Sequence, residues 1–297
     1  MDRLQAMGVF VKVAETGGFA EAARRLSLSP PAVTRAVASL EDAIGARLLT
    51  RTTRLVKLTD VGARYLEDCR RILADLADAE AAAGGSYASP VGLLTVTAPV
   101  LFGRIYVLPI LTDYLSQNPS VDGRALLLDR VVNVIDEGVD VAVRIGPLAD
   151  SGLAAIRCGT VRRVVCGAPS YVAAHGAPKT PAELAEHRIV SVSHSGASEW
   201  RFGADRRTVV SLKPRLACNV NEAAIAAAID GWGLTRVLSY QVAEAIRDGK
   251  LVVLLEEFEP EPLPIHIVHV EGRGAAAKVR SFVDFAVERL RSNALIN

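Results

Sequence analysis

The stretch Gly17–Thr59, GGFAEAARRLSLSPPAVTRAVASLEDAIGARLLTRTTRLVKLT, is compatible with few folds. Phe19, Ala22, Ala23 and Leu26 recur at i, i+3, i+4 and i+7, one apolar helix stripe. Ser27-Leu28-Ser29 interrupts that stripe. Ser29 then stands where an N-cap belongs, with Pro30 at the first helical position, where a missing N–H is no loss. Val33, Val37, Leu40 and Ile44 form a second stripe and leave Thr34, Arg35 and Ser39 on an outer face. Two helices joined by a turn of about three residues predict a helix-turn-helix, whose second helix enters the major groove of DNA. Leu48-Leu49-Thr50-Arg51 and Leu55-Val56-Lys57-Leu58 read as short strands around Thr52-Thr53-Arg54, a wing carrying Arg51, Arg54 and Lys57. Cations there suit phosphates or a narrow minor groove, because they displace condensed counterions. Residues 1–66 hold ten Lys/Arg against six Asp/Glu, in a chain of net charge +1. The candidate DNA-binding residues are Ser29, Pro30, Pro31, Thr34, Arg35, Arg51 and Arg54.

The segment AARRLSLSPPAVTRAVASLEDAIGARLLTRTTRLVKLTDVG, residues 22–62, resembles the N-terminal signature of the LysR-type transcriptional regulators. Many members of that family carry Gln where this chain has Pro30, a departure that moves base readout toward Thr34 and Arg35. Gly18 likewise stands where a Ser N-cap is common, and glycine caps more weakly. The resemblance implies a bacterial DNA-binding regulator with a C-terminal sensor similar to the two-lobed, type 2 periplasmic-binding-protein fold.

At 297 residues, half of them apolar, the chain has material for two or three domains. An amphipathic first helix (Leu4, Met7, Val11, Ala14) is expected, rather than a signal peptide, because Lys12 and Glu15 break the apolar run and no small-residue cleavage site follows. A cytoplasmic location is expected. From Thr59 a long helix places Tyr65, Cys69, Ile72, Leu76, Ala79 and Ala83 at alternating spacings of four and three, a seven-residue repeat. That repeat reads as a two-helix dimer seam, a role the resemblance also implies; a helix packed on its own domain is the alternative. Gly84–Pro90 reads as a flexible linker. The domains expected are therefore a winged helix-turn-helix over 1–58, a linker helix and hinge over 59–89, and a sensor over 90–297. Within the sensor, lobe I takes about 90–162 plus 268–297, and lobe II about 163–267.

Beyond the linker, strand and helix alternate, which predicts mostly parallel α/β sheets with helices on both faces. A helix over Val131–Glu137 and one long strand over Thr208–Ala217 are among the elements expected, with lobe crossings near Arg162–Cys166 and His266–Val270. A ligand cleft in such a fold lies at the carboxyl ends of strands and the amino ends of helices. That rule, with the resemblance, selects Thr97, Ala98, Pro99, Val100, Arg144, Gly146, Ser193, His194, Asn219 and Asn221 as effector positions. Arg144 suits a carboxylate, against the alternative of an ion pair with Asp140 or a neighbour, and a solvated loop histidine is the alternative for His194.

Nothing in the sequence asks for a metal or cofactor, and only a small-molecule effector is expected. There is no G-x-S-x-G, H-E-x-x-H or P-loop. Gly272-Arg273-Gly274-Ala275-Ala276-Ala277 imitates a dinucleotide fingerprint, but no strand follows its helix. Cys69, Cys158, Cys166 and Cys218 form no C-x-x-C, so Cys158 and Cys166 read as buried thiols rather than a redox pair. The reading is a DNA-binding, homo-oligomeric regulator and no enzyme. A solute-binding protein or small-molecule enzyme on the two-lobed fold, and an architectural DNA-binding protein without an effector, are the alternatives.

Overall fold

The computed structural model describes residues 2–296 apart from 52–55, 84–88, 135, 149–151, 193–197 and 271–275. The wing tip with Arg54, most of the linker, the positions Ser193 and His194, and the glycines of the dinucleotide-like turn lie outside the described residues. The chain divides into two compact units, one built on Met1–Ser89, the other on Pro90–Gly272 and Lys278–Asn297.

The first unit packs helices α1 (Arg3–Thr16), α2 (Phe19–Leu26) and α3 (Pro30–Ile44) around one core, followed by strands β1 (Leu49–Arg51) and β2 (Val56–Leu58) and helix α4 (Asp60–Ala83). Ser29 caps α3 by accepting the Ala32 N–H at 3.4 Å, with Pro30 first in the helix. Phe10 and Val13 centre the core with Val33, Val37 and Leu40, while Leu4, Val11 and Ala14 pack at its margin. The expected stripe of α1 is thus rotated: only Met7 of the four named residues is buried. β1 and β2 pair antiparallel in the register Leu49↔Leu58, Thr50↔Lys57 and Arg51↔Val56.

A larger correction concerns α4. Cys69 is fully buried in the core of this unit, and Tyr65 and Ile72 pack against the same core, Tyr65 with its ring 6.1 Å from Phe10. The first part of the seven-residue repeat therefore faces its own domain, and Cys69 has no surface to offer a partner. Leu76 is half-buried, and the side chain of Ala79 lies outside the description.

Glu41, at the end of α3, ties the wing to the recognition helix. Its buried carboxylate accepts the Leu48 and Leu49 N–H groups at 2.8 and 3.1 Å and the Arg47 guanidinium at 2.9 Å. Burial alone raises its pKa, but the two backbone donors and Arg47 outweigh that and hold it below the usual glutamate range. Thr59 continues the junction: its hydroxyl donates to the Arg47 carbonyl at 2.7 Å and accepts the Gly62 N–H at 2.9 Å. At Gly62 a Cβ would lie 1.9 Å from the Leu48 carbonyl oxygen, so α4 approaches the wing this closely only without a side chain.

The second unit contains two five-stranded sheets. Lobe I begins with β3 (Gly92–Ala98) and a helical segment in three parts: α5 (Val100–Phe102), a π-helical stretch over Gly103–Val107, and α6 (Leu108–Gln117). β4 (Val121–Leu127), β5 (Val141–Ile145) and β6 (Leu153–Val161) follow. Lobe II comprises β7 (Arg163–Gly167), α7 (Pro169–His175), a 3-10 turn over Pro181–Glu186, β8 (Ile189–Val192), β9 (Ser198–Phe202), β10 (Thr208–Leu212), β11 (Leu216–Cys218), α8 (Asn221–Ile229), β12 (Leu234–Leu238), α9 (Ser239–Arg247) and β13 (Val252–Leu254). β14 (Leu263–Val270) and α10 (Ala277–Arg291) return to lobe I, where Tyr114 of α6 meets Phe282 and Phe285 of α10.

Strand order is β4-β3-β5-β14-β6 in lobe I and β11-β8-β12-β7-β13 in lobe II. In each sheet one strand is reversed, β14 and β7 respectively, and each is the strand that enters its lobe from the other. A strand arriving from the hinge must run away from it, while the other strands run toward it. The first crossing falls at Arg162, within the expected stretch. The second precedes Leu263 instead of falling in His266–Val270, because the whole of β14 pairs with β5 and β6. Lobe II thus ends before 263 rather than at 267.

Two expected elements are absent. The described residues of 131–137 are irregular at 131–133 and turn at 134, 136 and 137: Glu137 accepts the Asn133 N–H and pairs with Arg130, local side-chain bonds that compete with a helical ladder. The run Thr208–Ala217 splits at Pro214, which has no N–H for a ladder; β10 pairs with β9, and β11 joins β8 in the main sheet. No helix among the described residues is long and apolar enough to cross a membrane.

Replacing Glu41 with alanine strands two buried N–H donors, and we expect the first unit to lose about 3 kcal/mol at pH 7, a fall of some 10 °C or more in its calorimetric transition. The folded-state pKa of Glu41 is lowered, so its contribution is complete above the unfolded value near 4.3 and fades as pH falls through the folded value. The gap between wild type and Glu41→Ala should therefore narrow between about pH 5 and pH 3. A gap independent of pH would contradict this role.

Candidate nucleic-acid interface and effector cleft

The geometry of the first unit turns one face of α3 outward. Pro30, Pro31, Arg35 and Ser39 are exposed and Thr34 is half-buried, whereas Val33, Ala36, Val37 and Leu40 face the core. Ser29 is engaged as the cap, so its hydroxyl already has a partner. Lys57 is exposed on β2, opposite Thr50. The turn before α3 places Ser27 in the left-handed region (φ 53°), with its N–H and that of Leu28 directed back to the α2 carbonyls of Arg24 and Ala23. Arg51 ends β1, and its side chain, like Arg54, lies outside the description. Periodicity exposed the outer face of α3 but not Glu41, whose partners stand seven and eight residues away.

In the second unit, the strands that run toward the hinge deliver their carboxyl ends, Ala98, Ile145, Cys218 and Leu238 among them, to the cleft side of each lobe. Thr97 is a correction. Its side chain is fully buried and its hydroxyl donates to the Leu126 carbonyl at 2.7 Å, so it braces β3 on β4 and presents no side chain to a ligand. Ala98 is equally buried, and its carbonyl accepts the Leu128 N–H. Pro99 and Val100 are half-buried at the start of the helix. The Val100 N–H donates to the Asp129 carboxylate at 3.0 Å. Asp129, an exposed residue the sequence did not single out, thus holds the helix N-terminus with a negative charge.

Arg144 is half-buried on β5 and donates to the Val132 carbonyl at 3.1 Å. Desolvation lowers its pKa and the nearby Glu137 carboxylate opposes that. Asp140 is not its partner: that carboxylate accepts the Thr95 N–H at 2.7 Å. Gly146 is buried with φ 111°, and its N–H is bonded to the Pro264 carbonyl at 2.8 Å. Asn219 is exposed, and Asn221 is half-buried at the start of α8, whose N-cap is Val220. A concavity of about 750 Å³ lies elsewhere in this unit, lined by Leu101, Ile105, Ile225, Tyr240, Glu244 and Arg247 among others, and contains none of the predicted effector positions.

Cys158 and Cys166 stand on β6 and β7, in different sheets, both buried; burial raises the Cys158 pKa and pushes Cys166 up to about 12. Those are properties of inert structural thiols. Among the described residues, no three His, Cys, Asp or Glu side chains converge to hold a metal ion.

Two family models match the chain. The bacterial regulatory helix-turn-helix protein, lysR family, covers residues 4–63, and the LysR substrate binding domain covers 88–291. The chain is 31% identical to an HTH-type transcriptional repressor of Pseudomonas aeruginosa (strain UCBPP-PA14), across 99% of its own length and 94% of the relative's. It is also 31% identical to the HTH-type transcriptional regulator CrgA of Neisseria meningitidis serogroup C, across 97% of both. The solved structure of CrgA, a LysR-type transcriptional regulator from Neisseria meningitidis, superposes with a TM-score of 0.62 at 30% identity, covering 97% of this chain and 99% of that one. These relatives are transcriptional regulators and not enzymes, which removes the enzyme alternative. A capped recognition helix with a wing, joined to a two-lobed α/β sensor matched over most of its length, places this chain in the LysR family of DNA-binding transcriptional regulators.

Proposed function

We propose that this regulator reads its operator through Thr34 and Arg35 of α3, with Pro30 and Pro31 at the helix entry and Arg51 and Arg54 on phosphates, and that its second unit senses a small carboxylate-bearing effector. The observation that carries the effector class is the Asp129 carboxylate on the Val100 N–H. An anion is already the group this helix N-terminus holds, and a ligand carboxylate that replaces Asp129 would inherit the same bond. Arg144, half-buried on β5, which pairs in parallel with the β3 strand that leads to Val100, supplies the cation for a second oxygen. No cofactor is required for this chemistry.

The functional assembly is a homodimer or homotetramer. Leu76 and the residues of α4 beyond the core remain for a helix seam, since Tyr65, Cys69 and Ile72 are engaged within the domain. An effector that binds one lobe arrangement more tightly than the other shifts the population toward it, and the DNA-bound assembly responds to that shift. The regulator works in the cytoplasm, where its DNA is.

Two outcomes test the reading. Arg35→Ala should reduce discrimination between operator and random DNA by about 1–3 kcal/mol, measured by fluorescence anisotropy on both; equal losses on the two duplexes would rule out base readout by Arg35. Asp129→Asn removes the competing charge, worth about 0.3–1 kcal/mol at such a site, so half-maximal response to the carboxylate effector found by screening should come at a concentration some 2- to 5-fold lower. A response confined to uncharged or cationic compounds would overturn the effector class.

A further inference from the structure

Lobe II gathers arginines around one patch beside the hinge. β7 and β12 pair antiparallel with Arg163 opposite Leu238 and Val165 opposite Arg236, so Arg163 and Arg236 are diagonal neighbours on one face of the sheet. The β9–β10 hairpin covers that face. Arg236 lies 4.6 Å from the centroid of Phe202 and 5.8 Å from that of Trp200, and it donates to the Arg201 carbonyl on the same hairpin. The hairpin turn then supplies Arg206, held in the left-handed region at φ 56°, a conformation disfavoured for a residue with a side chain. The turn is anchored: the Gly203 N–H donates to the Phe258 carbonyl at 2.8 Å, and the Arg206 N–H to the Gly203 carbonyl at 2.9 Å.

These charges are poorly matched. Arg163 and Arg206 are exposed, and the Nε of Arg236, whose other nitrogen donates to Arg201, is buried without a hydrogen-bond partner among the described residues. The Glu259 carboxylate, whose charge acts on Arg236, is engaged by Arg162 at 3.2 and 3.3 Å, Glu256 is engaged by the same guanidinium at 2.6 Å, and Asp205 of the hairpin turn pairs with Arg207 at 3.4 Å. Desolvation, then repulsion from Arg163 and Arg206, lowers the Arg236 pKa to about 10. Desolvation and repulsion from Arg206 lower that of Arg163. Because Arg163 and Arg206 are exposed and Arg236 is half-buried, the cluster is open to a ligand, and an anion among the three would offset their mutual repulsion.

We propose that Arg163, Arg206 and Arg236 form an oxyanion-binding site on lobe II, for a ligand that carries at least two negative charges as a phosphate group or a dicarboxylate. Arginine forks present paired donors that match either group. None of the three is an effector position of the cleft, so the site stands independently of the effector reading. An anion here would link β7, the first strand after the hinge, to the β9–β10 hairpin.

The test is isothermal calorimetry of the full-length protein with inorganic phosphate, and separately with malonate, each against KCl at equal ionic strength. Three variants are compared with wild type: Arg163→Ala with Arg206→Ala, Arg163→Lys with Arg206→Lys, and Arg144→Ala. Arg236 is left in place because it packs on Trp200 and Phe202. The site predicts saturable binding to wild type and to Arg144→Ala, weakened about tenfold or more in the double alanine variant and less in the double lysine variant. Which anion binds more tightly identifies its source as phosphate or carboxylate. Binding unchanged in the double alanine variant, binding lost only in Arg144→Ala, or no binding to wild type would each overturn the site.

Discussion

Arg162 joins the two places where the chain passes between lobes. Its N–H donates to the Ser239 hydroxyl at 3.1 Å, its carbonyl accepts the Ser239 N–H at 2.8 Å, and its guanidinium reaches Glu256 and Glu259 just before the return crossing. One residue thus fixes the start of β7, the start of α9 and the approach to β14. Reversal of β7 and β14 follows from the same constraint, because a strand leaving the hinge runs against those that approach it. The carboxyl ends of the remaining strands then point toward the hinge side, which is where a two-lobed sensor holds its ligand.

The first unit has a counterpart in Glu41. An acid at the end of a recognition helix opposes DNA phosphates, yet its charge is consumed by two backbone N–H groups and Arg47. It fixes the wing relative to α3 while the outward face keeps Arg35. The exposed face can then vary without disturbing the junction that orients it.

Features with a local cause are legible in the sequence. Ser29-Pro30 starts α3 because an N-cap and a helix-compatible φ act within a few residues. Periodicity showed that α4 has an apolar stripe but not what covers it; Cys69 faces its own core, which only the packing of α1 against α4 reveals. Thr97 looked like a ligand contact by its place at a strand end, but strand alternation turned its hydroxyl to Leu126. Glu41, Asp129 and the arginines of lobe II are not legible in the sequence because no helix or strand period links them to their partners, which stand six to eight residues away for Glu41 and 29 away for Asp129. Arg163, Arg206 and Arg236 span more than seventy residues and meet only through strand pairing.

The central claim, a sequence-specific DNA-binding regulator, is tested most directly by fluorescence anisotropy of the full-length protein on two duplexes across a salt series. One is the intergenic DNA beside its own gene, the other the same composition scrambled. The account predicts tight binding to the first and weaker, steeply salt-dependent binding to the second. Absence of binding to either duplex at low salt would contradict it.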